Sequence, residues 1–287
     1  MKLVTFEKNG TTKLGAVQEN SIVDLTIIFP SMNSLIDSGS EGLAAIHTYL
    51  DNQKPNYPLD DVHLLAPIPN PKRNIMCLGL NYAAHAEESL IAKDQPVELP
   101  TFPIIFTKAT TAVNGPYDPF TYNSTVSEKI DYETELGVII GKSGKNISPK
   151  EAMNHIFGYT IINDISARDL QFQHKQWFKG KSLDGSCPMG PWIITTDELD
   201  PGNLYIASRV NDITKQASNT HNMIFDIPTI IHHLSRGMTL LPGDIIATGT
   251  PSGVGFARTP PEFLQSGDIL ESEIEEIGTL RTPILNA

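Results

Sequence analysis

Three acidic residues stand two apart at the start of an apolar segment, DYETELGVIIGK. In a β-strand, Asp131, Glu133 and Glu135 would point to one face, because successive side chains alternate between faces. The apolar run after them is typical of a strand buried on both faces. Carboxylates crowded there must take up protons, pair with basic groups or bind a metal ion, and oxygen ligands suit Mg²⁺ or Mn²⁺. An exposed edge strand that carries three acids for solubility is the alternative.

Two further charged residues could join this group. Asp164 directly follows the apolar segment YTIIN, where an unpaired carboxylate is rarely tolerated, so it is a candidate third ligand; it could also cap the turn that follows. Lys181 lies in GKSLDG beside a glycine-containing turn, and its ammonium group could face the acids or a substrate oxyanion. A lysine on the protein surface is the ordinary alternative.

His85 and Glu88 lie three residues apart in the predicted helix YAAHAEESLIAK. Residues at this spacing are neighbours on one face of a helix, so the carboxylate can orient the imidazole. Such a pair could act as a general base that takes a proton from water. A histidine on an exposed acidic helix is the alternative.

A glycine-rich turn, GTPSGVG over residues 249–255, follows the strand-like segment GDIIATGT. Its backbone amides and hydroxyls could bind a carboxylate, and it could equally be a hairpin corner. The GxGxxG and GK[ST] patterns do not occur in the strand-to-helix context that they require, and Ser252 is not in a GxSxG motif. Nucleotide binding and serine-hydrolase chemistry are therefore disfavoured.

The elements that must position these residues begin with an N-terminal strand pattern. LVTFEK, LGAVQEN and SIVDLTI alternate around turns, which predicts a small antiparallel sheet, followed by a short helix over 41–51. Five prolines between residues 55 and 71 favour an extended linker and predict a domain boundary within residues 53–72. We therefore predict a small N-terminal β-rich α+β domain over 1–65 and a catalytic domain over 66–287.

The remainder of the chain is rich in strand patterns. Strands and helices do not alternate regularly, as they would in a doubly wound parallel sheet, so the predicted fold class is α+β, mainly β. Helices are predicted at YAAHAEESLIAK, SPKEAMNHIFG and DIPTIIHHLSRG. Strands are predicted at NIMCLGL, PIIFTK, DYETELGVIIGK, YTIIND, PWIITT, LYIASRVN, GDIIATGT and GDILESEIEEIG.

The composition of the chain excludes several classes of protein. The 287 residues include 21 Lys and Arg against 33 Asp and Glu, and the formal charge of −12 disfavours a nucleic-acid or membrane-surface partner. A hydrophobic fraction of 40% excludes a disordered chain. Cys77 and Cys187 form neither a disulfide framework nor a zinc pattern, and no membrane-spanning or leader segment is visible. We expect a cytoplasmic protein with reduced, buried thiols.

Five segments stand in the order and spacing of the fumarylacetoacetate hydrolase family: GLNYAAHAEE, DYETELGVIIGK, GYTIINDISARDLQ, GKSLDGSCPMGPW and ATGTPSGVG. Over residues 70–285 the chain resembles the small bacterial and mitochondrial branch of that family. The N-terminal segment resembles, more weakly, the small extra domain of many members. The resemblance implies a mixed β-sandwich roll, a homodimer, and a Mg²⁺ or Mn²⁺ ion held by Glu133, Glu135 and Asp164, with Asp131 in a supporting role.

The same resemblance implies roles for further side chains. It matches His85 and Glu88 to a catalytic dyad on a lid, for which Gly79 could be the hinge. Positions that match substrate-contacting residues of the family are Arg168, Gln171, Lys181 and Thr250.

Two positions depart from the pattern of the small branch and bear on the charge of the substrate. Leu80 stands where a basic residue is often found, and Ala84 stands where an acid is often found. The segment FQHKQWFKG, between Gln171 and Lys181, resembles the form seen in relatives described as oxaloacetate decarboxylases.

The implied partner is a small oxo acid, of which 3-acylpyruvates are the first candidate. His85, oriented by Glu88, would activate water toward the distal carbonyl, and the carbon–carbon bond would break to give pyruvate and a carboxylic acid while Lys181 stabilises the enolate. Oxaloacetate has the same 2-oxo acid head, so an oxaloacetate decarboxylase that depends less on His85 is the alternative. A catalytically retired scaffold protein is the third.

Overall fold

A computed structural model of the protein describes residues 1–287, and most of its regular structure is β-strand. The fold is α+β, mainly β, as the sequence predicts. The helices are α1 Met32–Asp37, α2 Gly39–Leu50, α3 Ala83–Ala92, α4 Arg168–Gln173, α5 Phe178–Lys181 and α6 Ile227–Ser235. The strands are β1 Lys2–Lys8, β2 Thr11–Gln18, β3 Ser21–Asp24, β4 Tyr57–Pro58, β5 His63–Leu65, β6 Ile75–Gly79, β7 Ile104–Lys108, β8 Val113–Asn114, β9 Phe120–Tyr122, β10 Ile130–Asp131, β11 Thr134–Ile140, β12 Ile156–Asn163, β13 Ser166–Ala167, β14 Cys187–Thr195, β15 Tyr205–Val210, β16 Ile213–Asn219, β17 Ile245–Ala247, β18 Ile269–Ile274 and β19 Gly278–Asn286.

Two mixed sheets contain nearly all of these strands. The larger sheet has 12 strands in the order β4-β3-β2-β1-β14-β12-β11-β17-β6-β7, with β5 paired to β1 and β8 paired to β14. The smaller sheet has five strands in the order β16-β15-β18-β19-β9. Most pairs are antiparallel, and β17 with β6, β14 with β8 and β19 with β9 are parallel.

The central strands β11 and β12 are buried on both faces. Ile139 and Ile162 contribute to one hydrophobic core, which also contains residues of β1 to β3, α1 and α2. Leu136 and Val138 face a second core, shared with the smaller sheet and α6. Burial on both faces explains the unbroken apolar run in this part of the sequence, and the exposed edge strand considered as an alternative is wrong.

The N-terminal strands extend the large sheet. β1, β2 and β3 are antiparallel, as predicted, and β1 also pairs with β14, with Lys2 opposite Ile194 and Leu3 opposite Ile193. Residues of the predicted linker form β4 and β5, which join the same sheet. The boundary between residues 1–65 and 66–287 stays a prediction, and the sheet crosses it without a break.

One helix prediction is wrong, and a helix near the N-terminus was missed. SPKEAMNHIFG forms only a short 3₁₀ helix over Ala152–His155, and the chain then enters β12, because Ile156 and Phe157 are drawn into the sheet between β11 and β14. The predicted helix over 41–51 is α2, and the pattern missed α1 before it, where Ser31 accepts the Ser34 N–H as a cap.

No helix of the protein has the length and apolar character needed to cross a membrane.

Candidate active site

The end of the β11–β12 pair brings three carboxylates together. The strand register puts Thr134 opposite Asn163, so Glu133, just before β11, lies beside Asp164, just after β12. The Asp164 N–H donates to the Glu133 carbonyl at 2.8 Å. Oxygen atoms of Glu133, Glu135 and Asp164 all lie within 4.8 Å of one another, and the three side chains are buried. This is a set of hard donors that could hold a divalent cation.

Asp131 does not join the three carboxylates. β10 ends at Asp131 and β11 begins only at Thr134, so the chain is not one continuous strand through these acids. The Asp131 carboxylate accepts the N–H groups of Gly255 and Phe256 at 2.7 and 3.0 Å and the Arg168 Nε–H at 2.8 Å. It therefore supports the glycine-rich turn and fixes one side of Arg168.

Lys181 and Lys108 supply two buried cations to the carboxylates. Lys181 Nζ donates to Glu133 at 2.6 Å and to Asp164 at 2.7 Å, and Lys108 Nζ donates to the other Asp164 oxygen at 2.7 Å. Lys181 is 1% exposed, so the surface alternative for this lysine is wrong. The capping alternative for Asp164 is also wrong, because α4 begins after Ala167 without a side-chain cap.

Glu133 and Glu135 differ in how far nearby cations compensate their negative charge. Burial would raise the pKa of Glu133, but the charges of Lys181 and Arg168 outweigh it and lower that pKa. Burial, with the charges of Asp164 and Glu133, raises the pKa of Glu135 well above its usual range. Glu135 forms no ion pair and accepts only the Gly249 N–H, at 2.8 Å. A bound Mg²⁺ or Mn²⁺ would supply the missing positive charge, so the residues fit such an ion.

His85 and Glu88 form a fixed pair at the start of α3. His85 Nδ1 lies 2.9 Å from Glu88 Oε1, and both Glu88 oxygens accept the Gly253 N–H, at 3.0 and 2.9 Å. Because a carboxylate only accepts, Nδ1 carries the proton and Nε2, which has no partner in the chain, can take one up. His85 is 4% exposed, so the alternative of a histidine on an exposed helix is wrong.

The predicted substrate-contacting positions other than Lys181 differ in how firmly they are held. Arg168 Nη2 donates to Glu133 at 2.6 Å and Nη1 donates to Gln171 Oε1 at 2.9 Å, which leaves the Gln171 amide nitrogen without a partner in the chain. Thr250 Oγ1 donates to the Thr134 carbonyl and accepts from Gln216 Nε2, both at 2.8 Å. Arg168 and Thr250 are therefore held by hydrogen bonds to other residues of the protein, while the amide nitrogen of Gln171 can still donate to a ligand.

One small pocket adjoins these groups. Of the nine predicted site residues, seven line it, and the other two, Glu88 and Asp164, reach it through His85 and Lys181. The lining residues are Leu78, Gly79, Leu80, His85, Ser89, Lys93, Phe106, Glu133, Glu135, Arg168, Gln171, Trp177, Lys181, Thr250 and Phe256.

The sequence interpretation missed several residues in the pocket and beside the three carboxylates. Lys108 had a usable signal, since it ends the apolar strand β7 as Asp164 follows β12, and a charge at such a place needs a partner. Trp177 had none, because its contact with Gly79 depends on tertiary packing. A Cβ atom at position 79 would lie 2.6 Å from the Trp177 ring, so glycine is required there. A hinge at Gly79 stays a prediction.

The sequence profile named Fumarylacetoacetate (FAA) hydrolase C-terminal matches residues 74–285. Oxaloacetate tautomerase YisK of Bacillus subtilis is 45% identical over 275 residues, which are 93% of this chain and 90% of that protein. The solved structure of a fumarylacetoacetate hydrolase from Exiguobacterium antarcticum aligns over 100% of both chains with a TM-score of 0.84 and 39% identity. That of a maleylpyruvate hydrolase from Sphingobium sp. SYK-6, in complex with manganese(II) ion and pyruvate, aligns over 100% of both chains with a TM-score of 0.82 and 31% identity. The chain therefore belongs to the fumarylacetoacetate hydrolase family.

Proposed function

We propose that this protein is a Mg²⁺- or Mn²⁺-dependent enzyme that interconverts the enol and keto forms of oxaloacetate. The observation that carries the proposal is the buried group Glu133, Glu135 and Asp164, beside a pocket that also contains basic side chains. Basic groups in the pocket suit a substrate with two negative charges. The 45% identity to a protein named oxaloacetate tautomerase supports this choice of substrate.

The proposed reaction moves a proton and breaks no carbon–carbon bond. The enol carries a proton on the C2 oxygen, and the keto form carries it on C3. A bound ion would act as a Lewis acid toward the 2-oxo acid head of the substrate. We assign the proton transfer at C3 to His85 Nε2, with Glu88 holding the ring. In the direction of the keto form, the C2 hydroxyl releases its proton to solvent and the protonated Nε2 gives one to C3. We assign to Lys181 the stabilisation of negative charge on the C2 oxygen between these two transfers.

The test follows ketonisation directly. Enol oxaloacetate is added to the protein with Mg²⁺, Mn²⁺ or EDTA, and the loss of enol ultraviolet absorbance is recorded while malate dehydrogenase reduces the keto form. We expect catalysis with either ion and none with EDTA. Glu135→Gln should behave as the EDTA sample does, and Glu7→Gln, an exposed acid, should match the wild type. Loss of enol at the uncatalysed rate in all three conditions would contradict the proposal.

Hydrolysis of 3-acylpyruvates is the second candidate. The observation that favours it is the His85–Glu88 pair at 2.9 Å, which suits a base that activates water. The solved maleylpyruvate hydrolase that holds manganese and pyruvate is 31% identical to this chain. Pyruvate release from acetylpyruvate, measured with lactate dehydrogenase, tests this reaction. Pyruvate release from oxaloacetate in the same assay tests decarboxylation.

The oxo acid is the proposed small-molecule partner of the site. The homodimer implied by the family resemblance stays a prediction, and sedimentation equilibrium of the full chain checks it. A retired scaffold protein would bind Mn²⁺ but catalyse none of the three reactions, which are ketonisation of oxaloacetate, its decarboxylation and hydrolysis of acetylpyruvate.

A further inference from the structure

Lys93 is the one basic residue of the pocket that has no anionic partner. It follows the last residue of α3 and lines the same pocket as Glu133 and Lys181. Its ammonium group makes no hydrogen bond or ion pair within the chain, whereas Arg168 and Lys181 are both held by carboxylates. Lys93 is therefore free to pair with a negative group of a ligand.

Aromatic rings surround the Lys93 ammonium. Lys93 Nζ lies 5.0 Å from the ring centre of Phe172, 5.6 Å from Phe256 and 5.9 Å from Trp177. Ring faces attract a cation and restrict the access of water, so they hold the ammonium without neutralising it. Burial, together with the charge of Arg168, lowers the pKa of Lys93. A carboxylate placed beside this group would restore the balance of charge.

We propose that Lys93 binds the second carboxylate of the substrate and so selects dicarboxylates over monocarboxylates that have the same head group. The head of the substrate has its own partners in Lys181 and in the ion that Glu133, Glu135 and Asp164 would hold. A second carboxylate is held most strongly by a cation that has no other partner, and Lys93 is the one left uncommitted. The inference rests on the proposed function for the identity of the substrate, oxaloacetate.

The test measures binding rather than turnover. Malate and lactate share a 2-hydroxy acid head, and malate adds a second carboxylate. Both are titrated calorimetrically into the Mn²⁺-loaded protein. Lys93→Met keeps the length and apolar contacts of the side chain but removes the charge. We expect this variant to bind malate at least tenfold more weakly, which is about the contribution of one charge-assisted hydrogen bond. Its affinity for lactate should not change. Lys150→Met, an exposed lysine, is the matched control.

Three results would overturn the inference: wild-type protein that binds malate no more tightly than lactate, a Lys93→Met variant that keeps its affinity for malate, or one that loses affinity for both acids equally. Lys93→Arg retains the charge and should recover most of the malate affinity, which separates the role of the charge from a fault in folding. Dependence of malate binding on Lys93 without turnover of oxaloacetate would refute the proposed function alone. Turnover of oxaloacetate with malate binding independent of Lys93 would refute this inference alone.

Discussion

Glu133 and Asp164 share one ammonium group, because Lys181 Nζ lies 2.6 Å from the first and 2.7 Å from the second. The two acids are distant in sequence and meet because one stands before β11 and the other after β12, at the same end of an antiparallel pair. Lys181 is thereby held by both acids in a buried place beside the pocket. The position of this cation is determined by two strands rather than by its own short helix.

Replacement of Lys181 by methionine should remove most of the turnover. A preorganised donor to a developing oxyanion is worth about 10²–10³ in kcat. We expect a loss of that size for Lys181→Met on whichever oxo acid the enzyme turns over. Calorimetric titration with Mn²⁺ is the control, and it should show binding at least as tight as in the wild type, because Glu133 and Asp164 lose a competing cation. Unchanged kcat would exclude Lys181 from the reaction.

Metal binding should stabilise the fold through the buried acids. A ligand at 100 times its Kd adds about 2.7 kcal/mol to the free energy of unfolding. We expect a gain of this size in urea unfolding when Mn²⁺ replaces EDTA at that concentration. In Glu135→Gln the gain should fall sharply, since one of the three oxygen donors is weakened. An equal gain in both proteins would mean that the ion binds elsewhere.

His85 should matter most for the two reactions in which it transfers a proton. General acid–base catalysis contributes about 10²–10⁴. We expect His85→Gln to lower ketonisation of enol oxaloacetate and hydrolysis of acetylpyruvate by such a factor. Decarboxylation of oxaloacetate should fall much less, since the loss of CO₂ needs no attacking water. The affinity for Mn²⁺ serves as the control and should not change. Ketonisation at the wild-type rate would remove His85 from the proposed tautomerase mechanism, and hydrolysis at the wild-type rate would remove it from the second candidate reaction.

Lys108 should be required for stability in the absence of metal. Its ammonium pairs with Asp164 at 2.7 Å, and both side chains are fully buried. Without Lys108, Asp164 and Glu133 must share Lys181, so buried negative charge is left incompletely compensated. Breaking a buried pair destabilises a protein by about 3–5 kcal/mol, and the remaining contact with Lys181 places the expected loss at the lower end of that range. Lys108→Met should show that loss in urea unfolding with EDTA. Lys72→Met breaks an exposed pair with Asp37 and should lose only about 0–1 kcal/mol. Similar losses in both variants would contradict the role of burial.

The thiol of Cys187 should make stability fall in alkaline solution. Burial raises its pKa to about 12, while an unfolded thiol titrates at about 8.5. Above the lower value the unfolded chain releases a proton that the folded chain keeps, so the free energy of unfolding decreases by up to about 1.4 kcal/mol per pH unit. Below a pH of about 8.5 the thiol is protonated in both the folded and the unfolded chain, so its full contribution to stability is present. Urea unfolding at pH values of about 8 and 10 should show a smaller decrease for Cys187→Ala, and equal decreases would contradict the assignment.

The prediction of the fold succeeded where local pattern and burial agree. The apolar runs of β11 and β12 and the alternation of β1 to β3 indicate strands on their own, and α6 has a capping aspartate, Asp226, and a proline in its first turn. The prediction failed at Ile156 and Phe157, where pairing with two neighbouring strands overrides a helical pattern. Strand order, and the membership of β5 in the large sheet, depend on long-range pairing that no local pattern reports.

The site was predictable to the extent that its residues are costly to bury. Glu133, Glu135 and Asp164 attract attention because charge stands beside apolar strands, and the same argument applies to Lys108. Lys93 was not predictable, because an isolated lysine at the end of a helix is ordinary in sequence. Only the fold brings it among Phe172, Trp177 and Phe256.

The pairing of β1 with β14 has a consequence for shortened forms of the protein. A chain that began at residue 66 would lack β1 to β5 and would leave the backbone of β14 open at Ile193 and Ile194. The same cut would uncover the core that Leu3, Leu14 and Val23 close. An unpaired apolar strand edge is a template for association between molecules. The N-terminal strands thus protect the edge of β14 from association with other molecules. Any shortened form of the protein should therefore retain β1 to β5.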